Sequence, residues 1–250
     1  MLIDTHCHLH DREFFTAEEA EKFIERAREK GVKKIICIGT SHEDSIEARE
    51  FAKQHKDVYW TYGIHPENAG ELKEIENIIP GDETPIAIGE VGLDYHYDNY
   101  DREAQIRLFE QMLQLACDHD LPVSFHVRNA FNDFFAVVSN YPKVRGCVHS
   151  FTDSKKVLRK ILETTDFYVG VNGLATYSTL PTPPLERILL ETDAPFLTPV
   201  PFRGMINEPR YIYNIAEWLS GKLGAEFATV EKETTKNANR LFRFPSSRNA

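Results

Sequence analysis

Strand-like and helix-like runs alternate along this chain from end to end, and that alternation restricts its possible folds more than any other feature. The strand-like runs are Leu2–Thr5, Lys34–Ile38, Val58–Gly63, Pro85–Gly89, Pro122–Phe125, Gly146–Val148, Phe167–Val171 and Arg187–Leu190. Between the first two, Thr16 and Glu19 have capping-box spacing, and Ala20, Phe23, Ile24 and Ala27 form an apolar helical stripe that Gly31 terminates. The clearest helix runs from Asp101 to Asp120, with Leu108, Phe109, Met112, Leu113 and Ala116 on one face. Shorter helices are expected over Ser41–Lys56, Leu72–Ile79, Asn132–Ser139 and Ser154–Leu162. Two more, Glu208–Leu223 and Phe227–Phe242, would close the molecule. Eight strands, most followed by a helix, predict a (β/α)8 TIM barrel of the α/β class. An open doubly wound sheet is the alternative, but no glycine-rich phosphate loop follows the first strand. One stretch breaks the pattern: between Asn172 and Leu185, Pro181, Pro183 and Pro184 forbid a normal helix, so the helix after strand seven is short or missing.

A chain of 250 residues buries roughly 75% of its unfolded surface and needs no disulfide or structural metal to fold. No repeat or interdomain linker interrupts it, so residues 1–250 are read as a single domain. No apolar run approaches the ~18 residues of a membrane span, and the first strand begins too early to leave room for a signal sequence. The expected location is the cytoplasm. The four cysteines, Cys7, Cys37, Cys117 and Cys147, form no CxxC pair and are read as reduced and mostly buried. A net charge of −10 with no dense Lys/Arg cluster argues against gripping a long duplex by its phosphates. A polyanionic substrate would have to be held locally.

Barrel enzymes carry their active sites at the C-terminal ends of the strands. Here His6 and His8 follow strand one, Glu90 strand four, His126 strand five, His149 strand six and Asp193 strand eight. Residues i and i+2 of a strand point the same way, so His6 and His8 can face one ion while Cys7 faces away. Four imidazoles and two carboxylates suffice for two ions if Glu90 bridges them, and nitrogen and oxygen donors without thiolate suit Zn, Mn or related divalent ions, with Mg at a weaker site. Two such ions about 4 Å apart lower the pKa of a shared water and stabilise a displacement at phosphorus or carbon. Asp193 is the expected ligand and proton acceptor, and Glu90 the second catalytic carboxylate. His65 ends strand three at the same rim and Arg128 lies two residues past His126; both are candidate phosphate contacts, against structural roles as a turn residue and an ion-pair partner. Glu191 and Glu208 are candidates for orienting the ligands, while Asp94 and Tyr95, on the loop after Glu90, either do the same or lie at the surface. His10, His42, His55, His96 and His119 read as ordinary loop or helix residues. Tyr95, Tyr97 and Tyr100, on a loop leaving the rim, either stack on a single-stranded end or pack over the fifth helix.

Several motifs together carry a family resemblance. Asp4-Thr5-His6-Cys7-His8-Leu9, Gly63-Ile64-His65-Pro66, Ile88-Gly89-Glu90-Val91-Gly92-Leu93-Asp94, Phe125-His126-Val127-Arg128 and Leu190-Glu191-Thr192-Asp193-Ala194-Pro195 resemble the TatD-like deoxyribonuclease family, as do Asn207-Glu208-Pro209 and Asn237-Ala238-Asn239-Arg240-Leu241-Phe242. The resemblance implies a metal-dependent hydrolase on a (β/α)8 barrel, usually a nuclease trimming DNA from the 3′ end. It implies the same six ligands, His6, His8, Glu90, His126, His149 and Asp193. The chain departs from the family pattern in the proline-rich stretch, at Asn129 where an acidic residue is common, near Asp153 where glycine is common, and at Ile206, where a basic residue often stands. The expected partner is DNA at single-stranded 3′ ends, with a monomer favoured. The rival readings are a small-molecule amide, ester or lactone hydrolase using the same two ions, and a non-catalytic metal-holding barrel.

Overall fold

The computed structural model of the chain describes residues 1–71 and 84–245. The helix expected over Leu72–Ile79 lies outside the described residues. Eight parallel strands follow one another in sequence order: β1 (Leu2–Cys7), β2 (Val32–Cys37), β3 (Val58–Tyr62), β4 (Ala87–Asp94), β5 (Val123–Arg128), β6 (Gly146–Val148), β7 (Tyr168–Val171) and β8 (Ile188–Leu190). The helices between and after them are α1 (Ala17–Glu29), α2 (His42–Lys53), α3 (Arg102–Asp118), α4 (Phe131–Val138), α5 (Lys155–Thr164), α6 (Ile212–Leu223) and α7 (Phe227–Phe242). β8 returns to β1 through Thr5 Oγ1 donating to the Leu190 carbonyl at 2.9 Å and Asp193 N donating to the His6 carbonyl at 2.8 Å. The ring is the expected barrel, and the doubly wound alternative is excluded.

Two apolar clusters show why the chain closes this way. On β2, Ile36 belongs with Ile3, Tyr59, Ala87, Cys147, Tyr168 and Leu189 in a cluster that fills the barrel. Its neighbours Ile35 and Cys37 belong to the larger layer between strands and helices. Alternate residues of a strand face opposite sides, so one apolar strand supplies both layers. The capping box at α1 is present: Glu19 N donates to Thr16 Oγ1, and Thr16 N donates to the Glu19 carboxylate at 2.9 Å. Gly31 takes φ +85°, the left-handed value expected after the helix.

Between β7 and β8 only short 3-10 turns occur, at Gly173–Thr176 and Leu185–Arg187, as the prolines require. The helix expected from Glu208 begins as a 3-10 turn, Pro209–Tyr211, before α6. β4 runs to Asp94, five residues past its expected end at Gly89. Gly89 and Gly92 make this extension possible. Both have φ near +150°, and a Cβ on Gly92 would lie 2.0 Å from the His126 carbonyl oxygen. With no side chains there, β4 packs tightly on β5 and brings Glu90 and Asp94 beside His126.

Candidate functional site

The C-terminal ends of the strands bring all six expected ligands to one rim. Glu90 lies among them: Oε1 is 2.7 Å from His126 Nδ1 and 3.8 Å from His149 Nε2, while Oε2 is 3.4 Å from His6 Nε2. Asp193 Oδ1 is 3.6 Å from both His6 Nε2 and His8 Nε2 and 3.7 Å from His149 Nε2. His6 and His8 therefore converge on one carboxylate, as their i, i+2 spacing predicts. Cys7 turns away and its thiol donates to the Ile36 carbonyl at 3.6 Å.

This cluster fits divalent cations on its own chemistry. His6 Nε2 is buried without a hydrogen-bond partner among the described residues, which is costly unless something else occupies that lone pair. Three overlapping groups of donor atoms lie within 4.8 Å of one another: His6, His149 and Asp193; His6, His8 and Glu90; and His65, Glu90 and His126. Burial pushes the Asp193 carboxyl up, but the imidazoles of His149, His8 and His6 override it and hold the group below the usual carboxylate range. Burial opposes ionisation of Glu90 too, and the surrounding imidazoles of His149, His126 and His6 bring it well below its ordinary value. The acids are thus kept as anions, the form a cation requires. Despite burial, the same contacts raise His126 to about 9 and His149 to about 10, so an ion would displace protons from those rings.

Neighbouring polar groups brace several of the candidate ligands. Asp94 Oδ2 lies 2.8 Å from His126 Nε2, and Gln105 on α3 latches the Asp94 backbone by hydrogen bonds to its N–H and carbonyl at 2.8 and 2.9 Å. Glu191 Oε1 lies 3.1 Å from His149 Nδ1 and accepts from Ser150 N at 2.7 Å. Asp94 and Glu191 therefore contact the imidazoles of two candidate ligands. Glu208 does not. Its carboxylate pairs with Arg26 at 2.8 Å and Arg210 at 3.0 Å and fastens α1 to the C-terminal part of the barrel. Of three further residues that brace the cluster, Asp4 and Asn207 stand in the motifs quoted above without a role assigned to them, and Ser124 lies outside those motifs. Ser124 Oγ is 3.3 Å from His6 Nδ1, Asp4 accepts from Thr192 N and Oγ1, and Asn207 Nδ2 donates to the Thr192 and Phe196 carbonyls, bracketing Asp193.

His65 sits at the rim with Nε2 4.0 Å from Glu90 Oε1. Glu67 N donates to His65 Nδ1 at 3.3 Å, which assigns the ring proton to Nε2 in the neutral imidazole. Burial and the adjacent His126 push its pKa down to about 4, so the ring is neutral near pH 7. Arg128 is exposed, has no ion pair among the described residues, and lies over the Tyr97 ring at 5.7 Å. Tyr95 and Tyr100 stack on each other at 4.5 Å, and the Tyr95 hydroxyl donates to Asp133 at 2.8 Å, so these two pack over the barrel. His10 is buried against Asp44 at 2.8 Å, an ordinary internal pair. The rim opens into a cavity of about 650 Å³ lined by His8, His65, Glu90, His126, Arg128, His149 and Asp193, together with Phe14 and Phe196.

The family described as TatD-related DNase matches residues 3–243. The chain is 34% identical to the uncharacterized metal-dependent hydrolase YabD of Bacillus subtilis, over 97% of this chain and 99% of that protein. It is 33% identical to the 3′-5′ ssDNA/RNA exonuclease TatD of Erwinia tasmaniensis, over 90% and 94% of the two chains. The crystal structure of YjjV, a TatD homolog from Escherichia coli, superposes with a TM-score of 0.85 at 27% identity, covering 98% of each chain. A ring of nitrogen and oxygen donors at the mouth of an eight-stranded barrel, and sequence agreement along nearly its whole length, place the chain in the TatD-related DNase family.

Proposed function

We propose that this TatD-family hydrolase removes nucleotides from single-stranded 3′ ends of DNA, acting as a monomeric, one-domain enzyme in the cytoplasm. The observation that carries the reading is the buried, unpartnered His6 Nε2 facing Glu90 and Asp193 within a cluster of nitrogen and oxygen donors. His6, His8, Glu90, His126, His149 and Asp193 would hold two divalent ions, Zn, Mn or Mg. Glu90 would bridge them, since its two oxygens face different imidazoles. Such ions, when bound, acidify a water and neutralise charge on a phosphate.

The chain's own residues supply the rest. Asp193, kept anionic, accepts the proton of the attacking water. The neutral His65 offers its Nε2 proton to a phosphate oxygen, and the exposed Arg128 offers a cation that makes no ion pair among the described residues. The mouth, about 650 Å³, admits a group of nucleotide size, as a phosphodiester substrate requires. A location in the cytoplasm is consistent with four free cysteines. Among the described residues no helix is long and apolar enough to cross a membrane.

The test is degradation of a 5′-labelled single-stranded oligonucleotide with Mg2+, Mn2+ or Zn2+, beside Asp193→Asn. The expected result is a ladder shortening from the 3′ end that the variant does not produce. No cleavage by protein shown to hold metal would overturn the nuclease reading in favour of a small-molecule hydrolase.

A further inference from the structure

Two large aromatic side chains at the mouth remain outside the core. Phe14 and Phe196 are each 45% exposed, whereas the adjacent Phe15 is 2% exposed and packs edge-on against Phe23 at 5.2 Å. The Phe14 and Phe196 rings meet at 5.2 Å and 82°, forming an aromatic corner on the cavity wall, and the Phe196 ring is 6.4 Å from that of His8. Isolated exposed apolar residues need no explanation; a contiguous pair beside an active site marks a place where a ligand lands.

The corner is also held rigidly against the chemistry. Phe196 N donates to the Asp193 carbonyl at 2.8 Å, and Asn207 Nδ2 binds the carbonyls on both sides of that loop, at Thr192 and Phe196. His8 N donates to the Ala194 carbonyl at 2.8 Å, tying the loop that leads to Phe14 to the same segment. Loops after β1 and β8 therefore make an apolar wall, while His65 after β3 and Arg128 at the end of β5 make a polar one.

We propose that Phe14 and Phe196 receive the 3′-terminal base of the substrate, so that the enzyme measures the presence of a base but not its identity. The inference rests on the nuclease reading above. A phosphodiester seated beside the cations that Glu90 and Asp193 would hold has a flat, apolar base on one side and anionic backbone on the other. The two walls match that polarity: base at the aromatic corner, backbone toward Arg128. Every base has a π face, so stacking tolerates sequence. The tyrosines at the rim are committed elsewhere, Tyr95 with Tyr100 and Tyr97 under Arg128.

The experiment compares oligonucleotides ending in an ordinary nucleotide or in an abasic residue at the 3′ end. Wild-type protein should lose roughly 5- to 150-fold in kcat/KM on the abasic end, the range expected of one base–aromatic stack. Phe196→Ala and Phe14→Ala should lose a comparable factor on the ordinary end and become indifferent to the missing base, with Phe196→Tyr restoring discrimination and Tm unchanged. Binding gives a readout free of turnover. A 3′-terminal 2-aminopurine should be quenched by metal-loaded Asp193→Asn protein, and the quench should vanish when Phe196→Ala is added. Wild-type kinetics in both alanine variants, or equal rates on the two ends, would overturn the inference while leaving the nuclease reading intact. Absence of degradation of any oligonucleotide by wild type would remove both.

Discussion

Glu90 and Asp193 divide the site between them. One carboxylate reaches His6 with one oxygen and His126 with the other, while the second gathers His6, His8 and His149 around a single oxygen. Converting Asp193 to Asn keeps an oxygen ligand and removes the proton acceptor. Turnover should fall to background while metal analysis still finds bound ion; retained activity would reassign the base. Glu191 acts one step further out, on His149 Nδ1 and Ser150 N. Glu191→Gln should weaken metal binding by about 10- to 100-fold, read by titration with a metal indicator, and an unchanged affinity would show that His149 needs no such support. The convergence of the six candidate ligands was legible because each is a His, Asp or Glu at the end of an apolar run. Ser124, Phe14 and Phe196 were not. Their side chains occur anywhere in proteins, and their roles arise only from neighbours brought close by the closed ring, as when Ser124 meets His6.

At the scale of elements, the strands announced themselves by composition and their ends by what followed. All eight appear, and the proline-rich gap carries only 3-10 turns. The extension of β4 could not be foreseen, since it depends on two glycines lying against β5 without side chains. How α1 is fixed was equally hidden. Arg28, at its end, reaches Asp57 before β3 with two hydrogen bonds of 2.7 and 2.6 Å. Burial raises the Asp57 carboxyl, but the Arg28 guanidinium more than offsets this and holds it below its ordinary 3.8. A lowered carboxylate pKa stabilises the fold above the unfolded value and loses that contribution as pH falls through the folded one. Arg28→Met should therefore cost about 0.5–1 kcal/mol at pH 7, as befits a half-exposed bidentate pair. The difference from wild type in denaturant melts should shrink below pH 3.8. A difference that persisted unchanged at pH 2.5 would mean that packing of the arginine stem, not its charge, carries the effect.

The whole molecule sets how nucleic acid can be held. It carries a net charge of −10, and its exposed cation at the mouth is Arg128, free of any ion pair among the described residues. Extended electrostatic contact with a polyanion is therefore unfavourable outside the mouth, and attraction must be concentrated on the few phosphates nearest the metal ligands. Single-strand binding releases counterions with a slope of about −0.7 in log affinity against log salt for each phosphate neutralised. Contact with one to three phosphates gives a slope of about −0.7 to −2, far shallower than that of a protein with a basic groove. Binding of a fluorescent oligonucleotide to metal-loaded Asp193→Asn protein between low and moderate salt would measure it. Arg128→Ala should flatten the slope by about 0.7, and lengthening the oligonucleotide at its 5′ side beyond a few nucleotides should add nothing. A slope steeper than about −4, or affinity that climbs steadily with length, would require a long anionic track across an acidic surface and would contradict the local grip on which this reading of the mouth depends.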